Sequence, residues 1–276
     1  MNLPAPTTKE EVAHVLDVLT LGDIELEGRL VDASNVALLG QLELGDVRTR
    51  VIYKPTGGER PLWDFPDGTL AERETAAFVL SAAGGWNIVP PTVLRQGPLG
   101  RGSVQLWVDV VEGATESLID VVTPAALLPG WLPVLEAQLS DGTAVVVAHA
   151  DRPELASAAV FDVVINNADR KGSHLVMDSC GSLWGFDHGL SCHTEPKLRT
   201  VLWGWVGQSL PETELARLAA LSDWLSNPSS PVSRSIRELL SPAEVDAVSQ
   251  RITGLLTSGR FPQPNRHGPA VPWPPL

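Results

Sequence analysis

Three polar side chains in the middle of the chain, Asp169, His174 and Asp187, have the types and spacing of a base and metal ligands. Asp169 falls four residues past an apolar segment ending at Ile165, and His174 follows five residues later. Asp187 comes in G-F-D-H-G, behind apolar Leu183, Trp184 and Phe186. Far upstream, Lys54 ends the run V-I-Y-K-P, and Glu72 and Glu74 lie in LAERETAAFVLSAAGG. Phosphoryl transfer needs little covalent help from a protein. It needs a cation on the phosphates, carboxylates that hold magnesium, and a carboxylate near the acceptor hydroxyl. Lys54, a helix Glu, Asp169 and Asp187 would supply these in that order.

The elements that must hold these residues are readable from periodicity. TKEEVAHVLDVLT places Val12, Val15, Leu16 and Leu19 at helical spacing behind a Thr8 cap. Alternation from Ile24 to Leu44 predicts a hairpin turning at Ala33-Ser34-Asn35, and RTRVIYKP predicts a third strand ending at Lys54. Thr69 is the expected cap of the next helix, and Gly84-Gly85 its stop. On that helix Glu74 shares a stripe with Leu70, Ala77 and Phe78, which favours it over Glu72 as the partner of Lys54. IVPPTVLR and SVQLWVDVVEG predict two more strands, and Gly113, Thr123-Pro124 and Pro129-Gly130 then punctuate a looser stretch. A helix from Pro153 to Ile165 leads into NNADRKGSH, two short strands flank Gly181, and helix is expected through the remainder to Ser258. Leu215, Leu218, Leu221 and Leu225 form one core face there, and Trp203 and Trp205 are read as packing residues. Asp162 reads as structural, accepting bonds from the loop that follows. The fold expected is α+β and two-lobed: an N-terminal lobe (1–110) of antiparallel sheet with one main helix, a mostly helical C-terminal lobe (111–260), and a Pro-rich extended tail (261–276).

Composition narrows the partners. The 276 residues carry 20 basic and 33 acidic side chains, a formal charge of -13, which repels nucleic acid and anionic bilayers. A polyphosphate ligand would therefore depend on a few local cations and a divalent metal. No apolar run is long enough for a transmembrane helix, and the N-terminal residues lack the pattern of a secretory signal, so a cytoplasmic location is expected. Two cysteines, Cys180 and Cys192, are too few for a disulfide framework and are read as reduced thiols.

The order of these residues resembles that of the kinase fold. D-R-K-x-x-H is similar to the D-R-H-x-x-N loop of phosphatidylinositol 3- and 4-kinases, and INNADRKGSH to the N-x-D-x-H-x-x-N loop of HipA-type kinases. The resemblance is to an actinobacterial member of that superfamily. It implies ATP and Mg²⁺ or Mn²⁺ as cofactors, Asp169 as catalytic base, Lys171 beside the transferred phosphoryl group, and Asp187 as a metal ligand. It also implies Lys54 on the phosphates with Glu74 as its partner, Ser34 and Asn35 in the phosphate-covering turn, and Gln105 and Trp107 in an adenine hinge. His174 stands where those families carry a metal-binding Asn, and imidazole nitrogen is accepted less readily by magnesium than oxygen. Two other functions fit the same residues: a nucleotide-binding pseudokinase, and a metal-dependent hydrolase using Asp169, His174, Asp187, His188 and His193. The hydroxyl acceptor, whether protein, small molecule or lipid, is open.

Overall fold

Strict alternation builds the first sheet. In β3 (Val47–Pro55), Thr49, Val51, Tyr53 and Pro55 are buried on one face, while Arg50, Ile52 and Lys54 take the other. The computed structural model, which describes residues 6, 8–30, 35–66, 68–109, 118–265 and 268–276, centres this strand in a five-stranded antiparallel sheet. Its order is β1 (Asp23–Arg29), β2 (Leu38–Leu44), β3, β5 (Gly100–Leu106), β4 (Thr92–Gly97). The register sets Ile52 opposite Gln105 and Lys54 opposite Ser103. Helix α1 (Lys9–Leu21), held by a capping box between Thr8 and Glu11, lays Val15, Val18 and Leu19 against Leu42, Val51, Tyr53 and Val104. Each such side chain contributes about 1.5–3 kcal/mol on burial. Because α1 covers that face, the other, with Ile52, Lys54 and Gln105, is left to line a cavity. Ala33 and Ser34 of the expected turn, and the expected lobe boundary at Val110, lie outside the described residues.

Helix α2 (Leu70–Gly84) stops at Gly85, whose φ of 77° is a left-handed conformation that glycine adopts without strain. Its start corrects the expectation. Thr69 makes no side-chain cap; its hydroxyl donates to the Pro66 carbonyl. The amides of Leu70 and Ala71 donate instead to the carboxylate of Glu59, at 3.1 and 3.0 Å. A carboxylate at the positive end of a helix makes charge-assisted bonds that a hydroxyl cannot match.

The stretch expected to be loose is in fact a second sheet, with strands β6 (Ile119–Val122), β7 (Trp131–Gln138) and β8 (Ala144–Ala150) in the order β6-β8-β7. Pro124, Pro129 and Gly130, which suggested a loop, sit between β6 and β7, Gly113 lies outside the described residues, and the middle strand buries Val145 to Ala150. Helices α3 (Pro153–Ile165), α4 (Glu212–Ser226), α5 (Pro231–Leu239) and α6 (Pro242–Ser258) complete the lobe. Phe161, Val164 and Ile165 of α3 share one core with Leu218, Leu221 and Leu225 of α4, with Leu215 packed at its edge, and with Ile252 of α6. Trp205 belongs to this core, and Trp203 is half-buried. Strands β9 (Leu175–Met177) and β10 (Leu183–Gly185) form a hairpin whose turn is tied by Asp178, which accepts from the amides of Cys180 and Ser182 and from the Trp184 indole. Among the described residues, no helix is long and apolar enough to cross a membrane.

Candidate active site

A cavity of about 560 Å³ lies between the five-stranded sheet, α2 and the segments around β9 and β10, a size suited to a small organic ligand. Alternation in β3 turns Lys54 into it, and helical spacing brings Leu70, Ala71 and Glu74 of α2 to the same wall. The Lys54 ammonium bonds the Glu74 carboxylate and, 2.9 Å away, Oδ1 of Asp187. Glu74 is buried, and its second oxygen accepts from the His188 amide at 3.1 Å. Glu72 takes no part, lying instead 3.3 Å from Arg101. Burial disfavours charge on Lys54, but Asp187 and Glu74 outweigh it and push its pKa up. Lys54, more than the burial that opposes it, holds the Asp187 carboxyl well below the usual carboxylate range. Asp187 itself has φ 57°, in the left-handed region that Asp tolerates better than most side chains.

The loop that carries Asp169 is built on a buried ion pair. Helix α3 ends at Asn166 in the left-handed conformation, and Asn166 ties down the segment ahead by bonds to the carbonyls of His193 and Glu195 and the amide of Lys197. Asp162, fully buried on α3, accepts from Asn167 Nδ2 at 3.0 Å, Arg170 Nη2 at 2.9 Å and the Thr200 hydroxyl at 3.1 Å. Asn167 in turn accepts the Asp169 amide at 3.0 Å, which orients that residue. The Arg170 guanidinium reaches on to the Phe186 carbonyl at 3.1 Å and His188 Nε2 at 2.7 Å, so one cation links the Asp169 loop to the residues flanking Asp187. Replacing Asp162 by Ala leaves Arg170 buried without its counter-charge and should cost about 3–5 kcal/mol, measured by chemical denaturation. Retention of wild-type stability would show that the pair does not carry the loop.

Asp169 and Lys171 form a partly exposed pair, with Nζ to Oδ2 at 3.2 Å. Burial raises the Asp169 pKa, opposed by Lys171. Burial also lowers His174 to about 4, against the pull of Asp187, so its ring is neutral near pH 7. Its Nε2 lies 3.7 Å from Asp187 Oδ2, and its buried Nδ1 has no hydrogen-bond partner. A neutral imidazole beside a carboxylate is a donor set that fits a divalent cation, although among the described residues no three His, Cys, Asp or Glu side chains converge on one point.

Asp169, His174, Asp187, Lys54, Glu74, Asn35, Gln105 and Trp107 all line the one cavity, and Lys171 adjoins it through Asp169. Ser34 lies outside the described residues. The Asn35 side-chain oxygen accepts the Arg60 amide at 2.8 Å. Gln105 donates to Thr92 at 2.8 Å, and the amides of Leu106 and Trp107 are already bonded to the carbonyls of Pro91 and Arg50. The five residues of the hydrolase alternative do not meet: His188 is held on Arg170, and His193 stacks edge-on to Phe65 with Nδ1 accepting from the Glu195 amide. Periodicity did not single out Glu59, Ser173 or Arg170. Glu59 and Ser173 line the cavity and Arg170 is fully buried behind it.

Comparison with protein-family models finds no match. Among solved structures, the fold is similar to that of the Golgi casein kinase with Mn/ADP bound, with a TM-score of 0.54 and 13% identity over 93% of this chain and 77% of that one. The Helicobacter pylori proinflammatory kinase CtkA aligns with a TM-score of only 0.45 and adds nothing to the argument. The first likeness shows the fold: two lobes, a β-sheet lobe with its helix and a mostly helical lobe, arranged as in kinases. Protein Rv2133c of Mycobacterium tuberculosis is 44% identical over 264 residues, spanning 93% of this chain and 94% of that protein. The chain thus belongs to the family of the mycobacterial protein Rv2133c, with a kinase-like fold.

Proposed function

We propose that the chain is an ATP-dependent phosphotransferase of the phosphatidylinositol 3-/4-kinase-like type, moving the γ-phosphoryl group of ATP to a hydroxyl acceptor. The observation that carries this reading is the joining of Lys54 to both Glu74 and Asp187 in the cavity that Asp169 also lines. In a protein of charge -13, a half-buried lysine held charged by two carboxylates is a local cation for a polyphosphate. The solved kinase with Mn/ADP bound, whose fold this chain shares, supports a nucleotide and a divalent metal as ligands.

In this mechanism Lys54 holds the α- and β-phosphates, and Glu74 keeps its ammonium in place. Asp187 and His174 would hold the metal, which would supply positive charge to the phosphate oxygens when bound. Asp169 accepts a hydrogen bond from the acceptor O–H and turns its oxygen toward the γ-phosphorus. As that oxygen bonds to phosphorus, the bond to the β–γ bridging oxygen breaks and ADP leaves with the electron pair. The acceptor proton passes to Asp169 and then to solvent. Lys171, paired with Asp169, offsets charge on the transferred group. The net charge of -13 favours a protein hydroxyl or a small soluble alcohol over a lipid in an anionic bilayer.

Incubating the protein with γ-labelled ATP, manganese and a soluble cell extract should label an acceptor, and the Asp169→Asn variant should not. ATP bound stoichiometrically with no label transferred would favour a nucleotide-binding module without transferase activity. His174 gives that second reading its footing, since imidazole replaces the expected amide oxygen. His174→Asn should therefore raise magnesium-supported turnover relative to manganese-supported turnover. An unchanged ratio of the two rates would remove His174 from the metal site.

A further inference from the structure

We propose that residues 269–276 form a strap that positions the catalytic loop and sets the rate of phosphoryl transfer; the proposal rests on the phosphotransferase reading. Past α6 the chain has no helix or strand among its described residues, yet it returns to the loop carrying Asp169. The Gly172 amide, three residues beyond Asp169, donates to the Pro275 carbonyl at 2.8 Å. Gly172 is buried and packs directly against the tail. A Cβ there would stand 2.5 Å from Cδ2 of Leu276 and 3.2 Å from Cγ2 of Ile119. The hydrogen bond from Gly172 to Pro275 and this packing tie the tail to the loop that also carries Asp169, Lys171 and His174.

The second grip lies a few residues earlier. The Ala270 carbonyl accepts two bonds, from the Thr200 amide at 3.0 Å and the Trp203 indole at 2.8 Å. Thr200 donates through its hydroxyl to Asp162, and its neighbours bond the backbone of Arg170 in both directions, Arg170 N–H to Arg199 and Val201 N–H to Arg170. The strap thus holds the loop directly at Gly172 and indirectly through the segment that braces Arg170. Between these grips Pro272 and Pro275 are buried, while Trp273 stays 75% exposed. Prolines at positions 269, 272, 274 and 275 reduce the conformational entropy lost in laying such a segment down.

The strap holds the loop that carries Asp169 and does not itself line the cavity. Lys54 and Glu74, which hold the nucleotide in this reading, come from β3 and α2 of the other lobe. Asp169 keeps its own tether through Asn167. Releasing the strap should therefore loosen the Lys171–His174 half of the loop, lowering turnover on the order of 10- to 100-fold, with metal-free ATP affinity changed less than about twofold. A merely structural tail would lower both or neither.

The test compares the full chain, a chain ending at Val271, and Gly172→Ala, whose Cβ would displace the Leu276 side chain from the loop. For each, ADP formed from ATP, manganese and the acceptor found in the extract is measured beside metal-free ATP affinity by calorimetry and hydrogen exchange of the Gly172 amide. The proposal expects slower ADP formation, unchanged affinity and faster Gly172 exchange in both variants. It also expects Gly172→Ala to add little in the shortened chain, where the residue it would strike is gone. Equal turnover in the full and shortened chains, or equal Gly172 protection, would overturn the strap and leave the phosphotransferase reading standing. No ADP from the full chain would overturn that reading and the proposal with it. If the shortened chain does not fold cooperatively, Gly172→Ala decides the matter in the same three measurements.

Discussion

Asp169→Asn should lower phosphoryl transfer by about 10²–10⁴-fold with ATP affinity nearly preserved. The substitution keeps the shape of the side chain, and the backbone stays tethered because the bond from the Asp169 amide to Asn167 does not involve the carboxylate. What is lost is the group that accepts the acceptor's proton. Burial holds this carboxyl above its ordinary pKa, opposed by Lys171, so the free enzyme needs it deprotonated and turnover should fall as pH drops through that raised value. In Asp169→Asn this acid limb should disappear along with most of the rate. A variant that transfers at the wild-type rate, or that keeps the acid limb, would show that the base is elsewhere.

Asp187→Asn should fail differently. Its left-handed backbone accommodates Asn as readily as Asp, so the turn survives the change. The carboxylate charge facing Lys54 and His174 does not. Metal affinity should fall roughly 10–100-fold or more, judging from what weaker perturbations of metal sites cost, and metal-dependent ATP binding should fall with it. Lys54, freed from one of its two carboxylates, remains on Glu74, so metal-free nucleotide binding should be kept or improved. Calorimetry with and without manganese separates these outcomes, and metal dependence equal to wild type would remove Asp187 from the metal site.

Residues dictated by short-range periodicity are legible in the sequence. Alternation in β3 is enough to turn Lys54 and Ile52 to one face, and helical spacing is enough to set Glu74 with Leu70 on α2. The apolar run of α3 and the β9–β10 hairpin likewise announce themselves, so local pattern alone locates the loop with Asp169 and the turn with Asp187. What escapes depends on contacts between distant segments. Glu59, in a Gly- and Pro-rich loop, reads as a solvated charge, yet it caps α2 across 11 positions. Arg170 reads as one letter of a loop motif, although its partner Asp162 is on the preceding helix and its guanidinium is fully buried. The sheet of β6, β7 and β8 is hidden because its turns carry the punctuation of a loop, and its register joins strands out of sequence order. Docking of Pro275 on Gly172 spans about a hundred residues, a separation no local pattern encodes.

The most direct test of the account follows the γ-phosphate itself. ATP labelled at that position is incubated with the purified full chain, manganese and the acceptor found in the extract, and the label is traced over time. Label is expected to leave ATP only when metal is present, to appear as an ester on an acceptor hydroxyl, and to do so in step with ADP. Label that stays on ATP while the nucleotide is bound, or that leaves at the same rate after Asp169→Asn, would contradict it.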